Sequence, residues 1–489
     1  MKTTSAAFLC ALVLWPAVGL AAGGYYSGAL GARAAGRSGA FAVRADDPTA
    51  VFYNPAGLAS LDGTVVMLGN RLSYNSYDFT RATTTDWGQE MNGMAPTVRF
   101  ATVHNGQPWQ AAEPLIGVAS RLGLRDWGFA AAAFAAPGAS KEVYPLSGGQ
   151  RYMMVGREAI ILDYVASAAW RPLPTLAFGA TLTWIYVPKL DYSLVIDGTP
   201  FAGAANPVSS NLDLLAETSG SDPFTFNATV GAWWRAARSF EVALAGQVVP
   251  AAIVTKSTLK VSPLDSRMPS VVITRDGRPA NDVTITLPQP LMARAGGRYR
   301  HLDAEREIFD LELDVEYEKW STVQQFTLDT HGLSAAFQGA NVMLGQIAIA
   351  KHWSDTLAVR LGGDFVVVPG RVVVRGGAFY ETAVAPASHA NVDFAGGQML
   401  GGSLGSLFGF GRFEVAIAYQ LWIQPTFTVA EANARVYQQV PASACPPPYT
   451  DTNACNPHYL GQPAPAINGG SYGATFHYLS LALLYRYGS

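Results

Sequence analysis

Charged side chains are scarce in this chain. Asp, Glu, Lys and Arg together make up 14% of its 489 residues, whereas hydrophobic residues make up 49%. A soluble globular protein carries roughly 25% charged residues, so a water-facing surface of this size would be under-supplied with charge. The formal net charge of -3 provides no basic surface. We therefore expect no nucleic-acid partner.

Long apolar runs are missing beyond the first residues. No later stretch reaches the ~18 consecutive apolar positions of a transmembrane helix. At the N-terminus, Lys2 precedes an apolar stretch over residues 6–20, which ends among small residues. This pattern predicts a signal peptide over residues 1–21, with a short membrane anchor as the alternative. The mature protein is expected to be exported.

Cysteine is nearly absent. Of the three cysteines, Cys10 lies inside the predicted signal peptide, which leaves Cys445 and Cys455 on either side of three consecutive prolines. In an oxidising compartment such a close pair favours a disulfide that closes a loop. A metal site is the alternative, but there is no second cysteine pair and the seven histidines are scattered. We expect neither a metal nor a cofactor.

What the chain does have is strict alternation. Residues 307–320 read EIFDLELDVEYEKW, with apolar side chains on one parity and, on the other, Asp310, Glu312, Asp314, Glu316 and Glu318. A period of two predicts a strand with one apolar and one acidic face. The preceding segment carries Arg294, Arg298 and Arg300 on one parity. A hairpin that turns near Asp303 would bring the basic and acidic rows together on one face.

Similar alternation, including the segments of Arg360 and Arg375, runs through most of the chain. A soluble β-sandwich also alternates, but these strands are long and their apolar faces exceed what one core can bury. A membrane barrel explains both faces, because one meets lipid and the other lines the lumen. We therefore predict an all-β fold, a transmembrane antiparallel β-barrel of about fourteen strands formed by residues 62–489.

The predicted strands lie near residues 63–77, 113–122, 127–136, 154–170, 175–194, 223–234, 240–259, 282–301, 307–327, 355–368, 371–382, 398–408, 412–429 and 472–487. Residues 340–353 either extend one strand or form another. Aromatic residues near strand ends suit interfacial girdles: Trp184, Tyr186, Trp233, Trp234, Trp320, Tyr380, Trp422 and Tyr487. Short and long connections alternate, as in outer-membrane barrels, where the short turns face the periplasm. The Cys445–Cys455 loop then lies outside the cell.

Residues 22–61 precede the first strand and do not alternate. They are rich in Gly, Ala and turn residues and include ADDPTAVFYNPAGLA over residues 45–59. About forty such residues cannot build a core of their own. They are either a periplasmic linker or a hatch (a plug of short helices and turns) inside the lumen. In the second case, Asp46 and Asp47 would need hydrogen bonds or lumenal arginines to offset the cost of burying charge.

The run over residues 45–59, just after a signal peptide, closely resembles the start of the outer-membrane long-chain fatty acid transporter (FadL) family. Further similarity lies in YPLSGGQRY over residues 144–152, in residues 353–381 and in the terminal LSLALLYRY. The resemblance implies a fourteen-stranded barrel with an N-terminal hatch, located in the bacterial outer membrane. It makes Asn54, Pro55 and Ala56 the signature tripeptide of the hatch. A departure is the end of the chain, Tyr487-Gly488-Ser489, where many such barrels end on an aromatic residue.

The resemblance also implies uptake of hydrophobic molecules, with long-chain fatty acids expected and aromatic hydrocarbons as the alternative. Capture by loops, binding in the lumen and hatch-gated lateral release would move the molecule across the membrane. Residues 129–138, FAAAAFAAPG, are a candidate bent strand for the lateral exit. Two apolar loops, residues 195–220 and 261–277, are candidates for capture, although ordinary loop packing explains them equally. Their apolar residues are Phe201, Leu212, Leu214, Leu215, Leu264, Met268, Val271 and Val272.

Lumenal Arg294, Arg298, Arg360 or Arg375 could bind a carboxylate, but neutralisation of the acidic row is the favoured interpretation. Three alternative functions are a water-filled porin for polar solutes, a receptor barrel whose loops bind a protein, and an enzyme. GGSLG around Ser403 matches a nucleophile-elbow pattern, but that motif needs a strand-turn-helix setting. We therefore expect a monomeric, non-enzymatic barrel whose partners are a hydrophobic small molecule and outer-membrane lipid.

Overall fold

The protein is a closed barrel of fourteen antiparallel strands, as the alternation predicts. The computed structural model describes residues 28–85, 97–136, 140–196, 213–337, 340–437 and 466–488. The predicted signal peptide and the first residues of the hatch segment lie outside these ranges. So do Phe201, Leu212, Cys445 and Cys455, and the end of the candidate bent strand.

The barrel strands are numbered β1 to β14 in chain order. They are β1 (Thr64–Arg81), β2 (Glu113–Ser120), β3 (Trp127–Ala135, then Lys141–Val143), β4 (Gly156–Leu173), β5 (Leu176–Ile196), β6 (Leu214–Ala237), β7 (Phe240–Gln247, then Ala252–Pro263), β8 (Asp282–Pro288, then Met292–Asp303), β9 (Arg306–Glu318, then Gln325–Asp329), β10 (Gln346–Ala350, then Thr356–Val368), β11 (Val372–Glu381), β12 (Met399–Phe410), β13 (Phe413–Val429) and β14 (Gly470–Tyr487). β1 pairs with β2 on one side and with β14 on the other, from Thr64 opposite Tyr487 to Arg81 opposite Gly470. This last pairing closes the barrel.

Four successive strands, β7 to β10, are each interrupted once, at residues 248–251, 289–291, 319–324 and 351–355. The alternation predicts continuous strands across the first three of these breaks, and this prediction is wrong. Pro250 and Pro290 lie in two of them, and proline cannot donate to the ladder. The outer halves pair with each other and with β6, so the wall continues beyond the breaks.

Two further boundaries differ from the prediction. β6 begins at Leu214 rather than near residue 223, because its first residues pair with β5 on one side and with β7 on the other. Leu214 and Leu215, which we assigned to a loop, are therefore strand residues. Residues 340–353 divide: Ala340–Met343 joins a small sheet, and Gln346–Ala350 is the outer half of β10.

The remaining described elements are short. The small sheet contains Val272–Arg275, Arg278–Pro279, Ser334–Phe337 and Ala340–Met343, and two-residue strands lie at Thr84–Thr85, Thr97–Val98 and Val103–His104. The helices are α1 (Ala32–Ala35), α2 (Ala50–Tyr53) and four 3-10 turns, Pro55–Ser60, Trp320–Thr322, Ala387–His389 and Glu431–Asn433. Among the described residues, none of the helices combines the length and the apolar character that crossing a membrane requires.

The register places charge inside the barrel and apolar side chains outside. Across the β8–β9 hairpin, Arg294 lies opposite Glu316, Arg298 opposite Glu312 and Arg300 opposite Asp310. The expected meeting of the basic and acidic rows is thus confirmed. The alternate residues of β9, such as Leu311 and Leu313, are exposed on the outer face. That face is suited to lipid.

The aromatic residues assigned to interfacial girdles divide between the two faces. Trp234, Tyr380 and Tyr487 are exposed on the outside, and the Trp184 ring lies 5.0 Å from Tyr164 and 6.1 Å from Phe224. Trp233, Trp320 and Trp422 are instead buried, which corrects the prediction. Trp320, for example, donates through Nε1 to Glu318 at 2.5 Å. Aromatic residues near strand ends therefore also fill the lumen.

Candidate functional site: the plugged lumen

The described part of the hatch segment, residues 28–61, is almost wholly buried against the inner wall. Its fold is held by its own polar groups. The Leu30 N–H donates to the Tyr53 hydroxyl at 2.9 Å, and Arg33 pairs with Asp46 at 2.8 Å and with Asp47 at 3.2 Å. Asp46 and Asp47 thus pair with an arginine inside the lumen, and this arginine belongs to the hatch segment itself.

The Asn54 side chain connects two parts of the hatch segment to the wall. Its Oδ1 accepts a hydrogen bond from the Ala56 N–H at 3.1 Å, which caps the turn Pro55–Ser60. Pro55 suits the first position of that turn, where no N–H is needed. The Asn54 Nδ2 donates to the carbonyls of Ala42, within the hatch, at 3.0 Å and of Ala232, on β6, at 3.2 Å. One side chain therefore joins three backbone segments.

Two wall glycines let the tripeptide approach this closely. A Cβ atom at Gly231 on β6 would lie 2.0 Å from the Asn54 Oδ1. A Cβ atom at Gly179 on β5 would lie 2.4 Å from the Pro55 carbonyl carbon. Both distances are far below van der Waals contact, so any larger residue would displace the tripeptide. Asn54, Pro55 and Ala56 thus lie in a pocket of the wall that only glycine leaves open.

Arg37 attaches the hatch segment to the wall through its guanidinium. It is fully buried, and its guanidinium contacts three carboxylates of the wall: Asp310 at 2.9 Å, Glu312 at 2.9 Å and Asp364 at 2.8 Å. Its Nε donates to the Ala40 carbonyl at 2.9 Å. Burying a charge is tolerable only when it is paired and hydrogen-bonded. Arg37 meets both conditions.

Other arginines complete the same network from both sides. Arg44 of the hatch lies 3.1 Å from Glu307 and 3.2 Å from Asp310. From the wall, Arg298 contacts Glu241, Glu307 and Asp310 at 3.0, 2.7 and 2.5 Å, and Arg375 contacts Asp364 at 3.0 Å. Asp310, Glu307 and Asp364 are thus neutralised by cations of the wall and of the hatch together.

Neighbouring carboxylates keep Arg37 and Arg44 of the hatch segment positively charged. Burial alone lowers the pKa of Arg37, but Asp310, Asp364 and Glu312 outweigh it and hold that pKa above its ordinary value. For Arg44, burial is likewise outweighed by Asp364 and Asp46, so its pKa is also raised. Both side chains therefore stay positively charged at any physiological pH.

The wall also binds the backbone of the hatch segment. The Asp314 carboxylate accepts the N–H groups of Phe41 and Ala42 at 2.8 and 2.9 Å, and Glu312 accepts that of Val43 at 2.7 Å. Charge-assisted bonds of this kind are about twice as strong as neutral ones. They satisfy donors that a turn cannot pair internally.

Arg294 and Arg360 form a second group further along the strands. Arg294 pairs with Glu316 and donates to the Phe52 carbonyl at 2.8 Å. Arg360 pairs with Glu316 at 3.4 Å and with Glu381 at 3.1 Å. Every one of the four wall arginines singled out from the sequence thus contacts a carboxylate.

A large apolar cavity lies in the part of the lumen beyond the hatch segment. On β5, Thr181 contacts the hatch through the Val51 carbonyl at 3.1 Å, whereas Leu190 and Ile196, nearer the long-loop end, line the cavity. The cavity encloses about 950 Å³ of empty space, counting its open mouth, and almost every lining atom is carbon. Its walls come from the outer halves of β5 to β10, including Leu259, Ile285, Phe326 and Ile349.

Two cations lie at the edge of this apolar cavity. Arg157 lies over the Phe394 ring at 4.2 Å and pairs with Glu142 at 2.8 Å. Lys351 lies 4.7 Å from the Phe326 ring centre and forms an ion pair with Asp393. Each cation thus combines a carboxylate partner with an aromatic face, which stabilises buried charge.

The candidate capture residues are distributed differently from the prediction. Leu214 is buried in β6 and packs with Leu259 and Leu333, while Leu215 lies in the same strand against a neighbouring core cluster. Leu264, Met268 and Val271 pack partly buried against these two clusters, and only Val272 is exposed. Phe201 and Leu212 lie outside the described residues. The described members therefore support the lumen wall more than they form a separate groove.

Ser403 lies in the middle of β12 and not in a strand-turn-helix elbow. Its hydroxyl accepts the Ser38 N–H at 2.7 Å and contacts the Ser38 hydroxyl at 2.8 Å. A side chain used in this way attaches the hatch segment to the wall. The geometry of a nucleophile elbow is therefore not met.

Sequence reasoning missed Arg37, Arg44 and the residues of the apolar cavity. A signal for the two arginines existed. The five acids between Asp310 and Glu318, with Glu307 just before them, outnumber the arginines predicted to face them, so the balance had to come from elsewhere. The hatch segment supplies Arg33, Arg37 and Arg44. The cavity had no such signal, because its lining comes from seven strands and includes residues as far apart in sequence as Arg157 and Phe394.

A closed barrel with an apolar outer face and a lumen plugged by its own N-terminal segment defines an outer-membrane transport protein. The chain belongs to the outer membrane protein transport protein family (OMPP1/FadL/TodX), whose model matches residues 14–435. The resemblance read from the sequence is therefore confirmed, as is location in the outer membrane. The family is one of transporters and not of enzymes, and its members carry hydrophobic compounds.

Solved structures show the same fold at low identity. A FadL homologue of Pseudomonas aeruginosa is 14% identical, with a TM-score of 0.69 over 96% of this chain and 99% of its own. The toluene transporter TodX of Pseudomonas putida is 11% identical, with a TM-score of 0.61 over 95% and 99%. CymD, a monoaromatic hydrocarbon channel, is 12% identical, with a TM-score of 0.58 over 94% and 98%. No curated protein sequence matches the chain significantly.

Proposed function

We propose that this barrel takes up small hydrophobic molecules, binds them in the apolar cavity, and releases them inward past the hatch segment. The observation that carries the proposal is the cavity itself, an almost wholly carbon-lined space inside the lumen and beyond the plug. Transfer of a molecule from water into such a space gains ~0.8 kcal/mol for each buried methylene group. An apolar lining of this kind does not suit a water-filled porin for polar solutes.

Neutral molecules, aromatic hydrocarbons among them, fit the cavity better than fatty acid anions. A carboxylate needs an available cation, but Arg157 and Lys351 are already paired with Glu142 and Asp393. The four wall arginines also contact carboxylates. Displacing one of these partners would leave it buried and uncompensated, at a cost of several kcal/mol. Two structural relatives act on aromatic hydrocarbons: TodX is a toluene transporter, and CymD is a monoaromatic hydrocarbon channel.

Long-chain fatty acids, the substrate expected from the sequence, remain the second candidate because of one observation. The Nε of Arg157 is buried without a hydrogen-bond partner among the described residues, and Arg157 lines the apolar cavity. That N–H is a donor that a fatty acid carboxylate can use. If so, Arg157→Met should reduce the affinity for a fatty acid by about tenfold while leaving that for toluene unchanged.

The proposal is tested by uptake of radiolabelled toluene and of a long-chain fatty acid into cells that contain each variant. Ile285 points into the cavity from β8, and Ile285→Glu should abolish uptake of both, because it places a carboxylate among carbon atoms. The matched control is Thr286→Glu, the same new side chain on the opposite face of the same strand. Equal uptake by both variants at the wild-type rate would refute binding in the cavity.

A further inference from the structure

A second cavity lies deeper in the lumen, between hatch helix α2 and the wall. It contains about 540 Å³ of empty space, counting the part that is open, and Val51 and Phe52 of the hatch form one side. The wall side combines apolar residues, Phe134, Val165 and Met292 among them, with five polar residues. The polar residues are Asp163 on β4, Thr183 on β5, Asn227 and Thr229 on β6, and Gln247 on β7. It shares strands with the apolar cavity. On β5, Thr183 of this cavity precedes Leu190 of the apolar cavity by seven residues, which at ~3.3 Å per residue places it about 20 Å nearer the short turns.

The register explains why these polar groups meet. Thr183 lies directly opposite Asn227, and Thr229 lies opposite Gln247, while Asp163 is two residues before Val165, which lies opposite Thr183. Residues two apart share a face of a strand. The five side chains therefore form one lumenal polar surface across four neighbouring strands.

These five side chains have no hydrogen-bond or ion-pair partner among the described residues. Asp163, Thr183 and Asn227 are nonetheless nine-tenths or more buried, with 9%, 7% and 6% of their surface exposed. Other buried carboxylates of the lumen differ from Asp163, since Asp310, Glu312 and Glu316 each contact an arginine. Leaving buried polar groups unpaired is costly, so such groups are normally kept for water or a ligand.

The charged residues that line this cavity favour some ligand groups over others. Asp163 offers only acceptor oxygens when ionised. The cation of the cavity, Arg294, lies on the hatch side, where it pairs with Glu316 and donates to the Phe52 carbonyl. A group that donates hydrogen bonds or carries positive charge would be attracted to Asp163, whereas a carboxylate would be repelled.

We propose that this polar cavity is a second binding site, which holds the polar group of a substrate with an apolar body. This inference rests on the proposed function. The site takes a hydroxyl or an ammonium group and discriminates against a carboxylate. Asp163 accepts the hydrogen bond of the ligand, Thr183 and Asn227 contact the same group, and Phe52 of the hatch covers the apolar body. A molecule leaving the apolar cavity is thus sorted by its polar group beside the hatch segment.

The test uses four ligands with one aromatic ring: toluene, benzyl alcohol, benzylamine and benzoate. Binding to the full-length barrel in nanodiscs of zwitterionic lipid is measured by calorimetry, with empty nanodiscs as the reference. Benzylamine should bind at least about tenfold more tightly than benzoate, as expected for a charge-assisted hydrogen bond. Asp163→Asn should weaken benzylamine binding by about tenfold and leave toluene unchanged. Asp78→Asn, which alters an exposed carboxylate beside His104, is the matched control and should keep the wild-type order.

The outcomes separate the two proposals. If Asp163→Asn leaves the benzylamine affinity unchanged, or shifts all four ligands equally, the polar cavity holds only water and this inference is wrong. If Ile285→Glu leaves the affinity of all four ligands unchanged, the proposed function fails instead. Folding is monitored by the heat-dependent mobility of the barrel in gels, and Thr183→Val provides a second variant. It should weaken benzyl alcohol binding without affecting toluene.

Discussion

Arg37 of the hatch segment donates a hydrogen bond at 2.9 Å to Asp310 on β9, a residue 273 positions later in the chain. Both side chains are fully buried, and Glu312 and Asp364 contact the same guanidinium. A loose linker would not hold one cation among three carboxylates of the wall. The contact therefore makes the hatch segment an integral part of the lumen, and its release would require separation of these charges.

Replacement of Arg37 should weaken the attachment of the hatch segment. Arg37→Met removes the cation and leaves three buried carboxylates with less compensation, which costs about 3–5 kcal/mol when one partner of a buried pair is lost. We expect frequent openings of the pore, measured as current in planar bilayers, in a barrel that still assembles. Arg306→Gln alters an exposed arginine at the start of β9 and is the matched control. Wild-type current in both variants would contradict an electrostatic attachment.

Deletion of residues 24–59 should open the barrel permanently. The wall strands pair with one another and not with the hatch segment, so the barrel should still form. The carboxylates that Arg37 and Arg44 neutralise would then face water, which gives the lumen a negative excess. We expect a large rise in conductance with preference for cations, measured as the reversal potential in a salt gradient. An unchanged conductance would exclude the segment as the plug.

Because Gly231 and Asn54 are in close contact, substitution of either residue should weaken the packing of the hatch segment. Asn54→Ala loses the cap of the turn Pro55–Ser60 and the bond to the Ala232 carbonyl, and should weaken hatch packing by about 1–2 kcal/mol. Gly231→Ala should do the same from the other side, since its Cβ would lie 2.0 Å from the Asn54 Oδ1. Protease sensitivity of the hatch segment in intact barrels measures both.

The control for this pair is Gly376→Ala on β11. There the nearest atoms to a new Cβ lie 3.7 Å away, in ordinary contact. Protease resistance should therefore match the wild type. If Gly231→Ala and Gly376→Ala behave alike, close packing of the tripeptide against the wall has no role in holding the hatch segment.

The sequence predicts the barrel well because its signal is local. Alternation within β9 and β8 is enough to show which face each side chain takes, and the Arg298–Glu312 pairing follows from the hairpin. The breaks in β7 and β8 were missed because the apolar pattern continues across Pro250 and Pro290. A single proline is compatible with an edge or a bulge as well as with an interruption.

The lumenal sites could not be predicted in the same way. The Asn54 tripeptide was found only because it resembles a family motif, and its contacts with Ala232 depend on a separation of 178 residues. The polar cavity depends on an unpaired carboxylate, Asp163, and pairing is not visible in a sequence. Local patterns therefore identify the elements, whereas the lumenal cavities arise from the closure of the barrel.

Acid should loosen the hatch segment through Asp46. Burial alone raises the pKa of this carboxyl, but Arg33 and Arg44 outweigh it and hold the pKa below its usual value. A depressed pKa in the folded state contributes stability that is complete above about pH 4, the ordinary pKa of aspartate, and declines as the pH falls further. Asp46→Asn should lack this contribution at every pH.

We therefore expect the hatch segment of the wild type to be more protease-resistant than that of Asp46→Asn from pH 7 down to about pH 4. Below that pH the two should converge, as measured with an acid-stable protease. A constant difference down to pH 2 would show that Asp46 does not act through its charge.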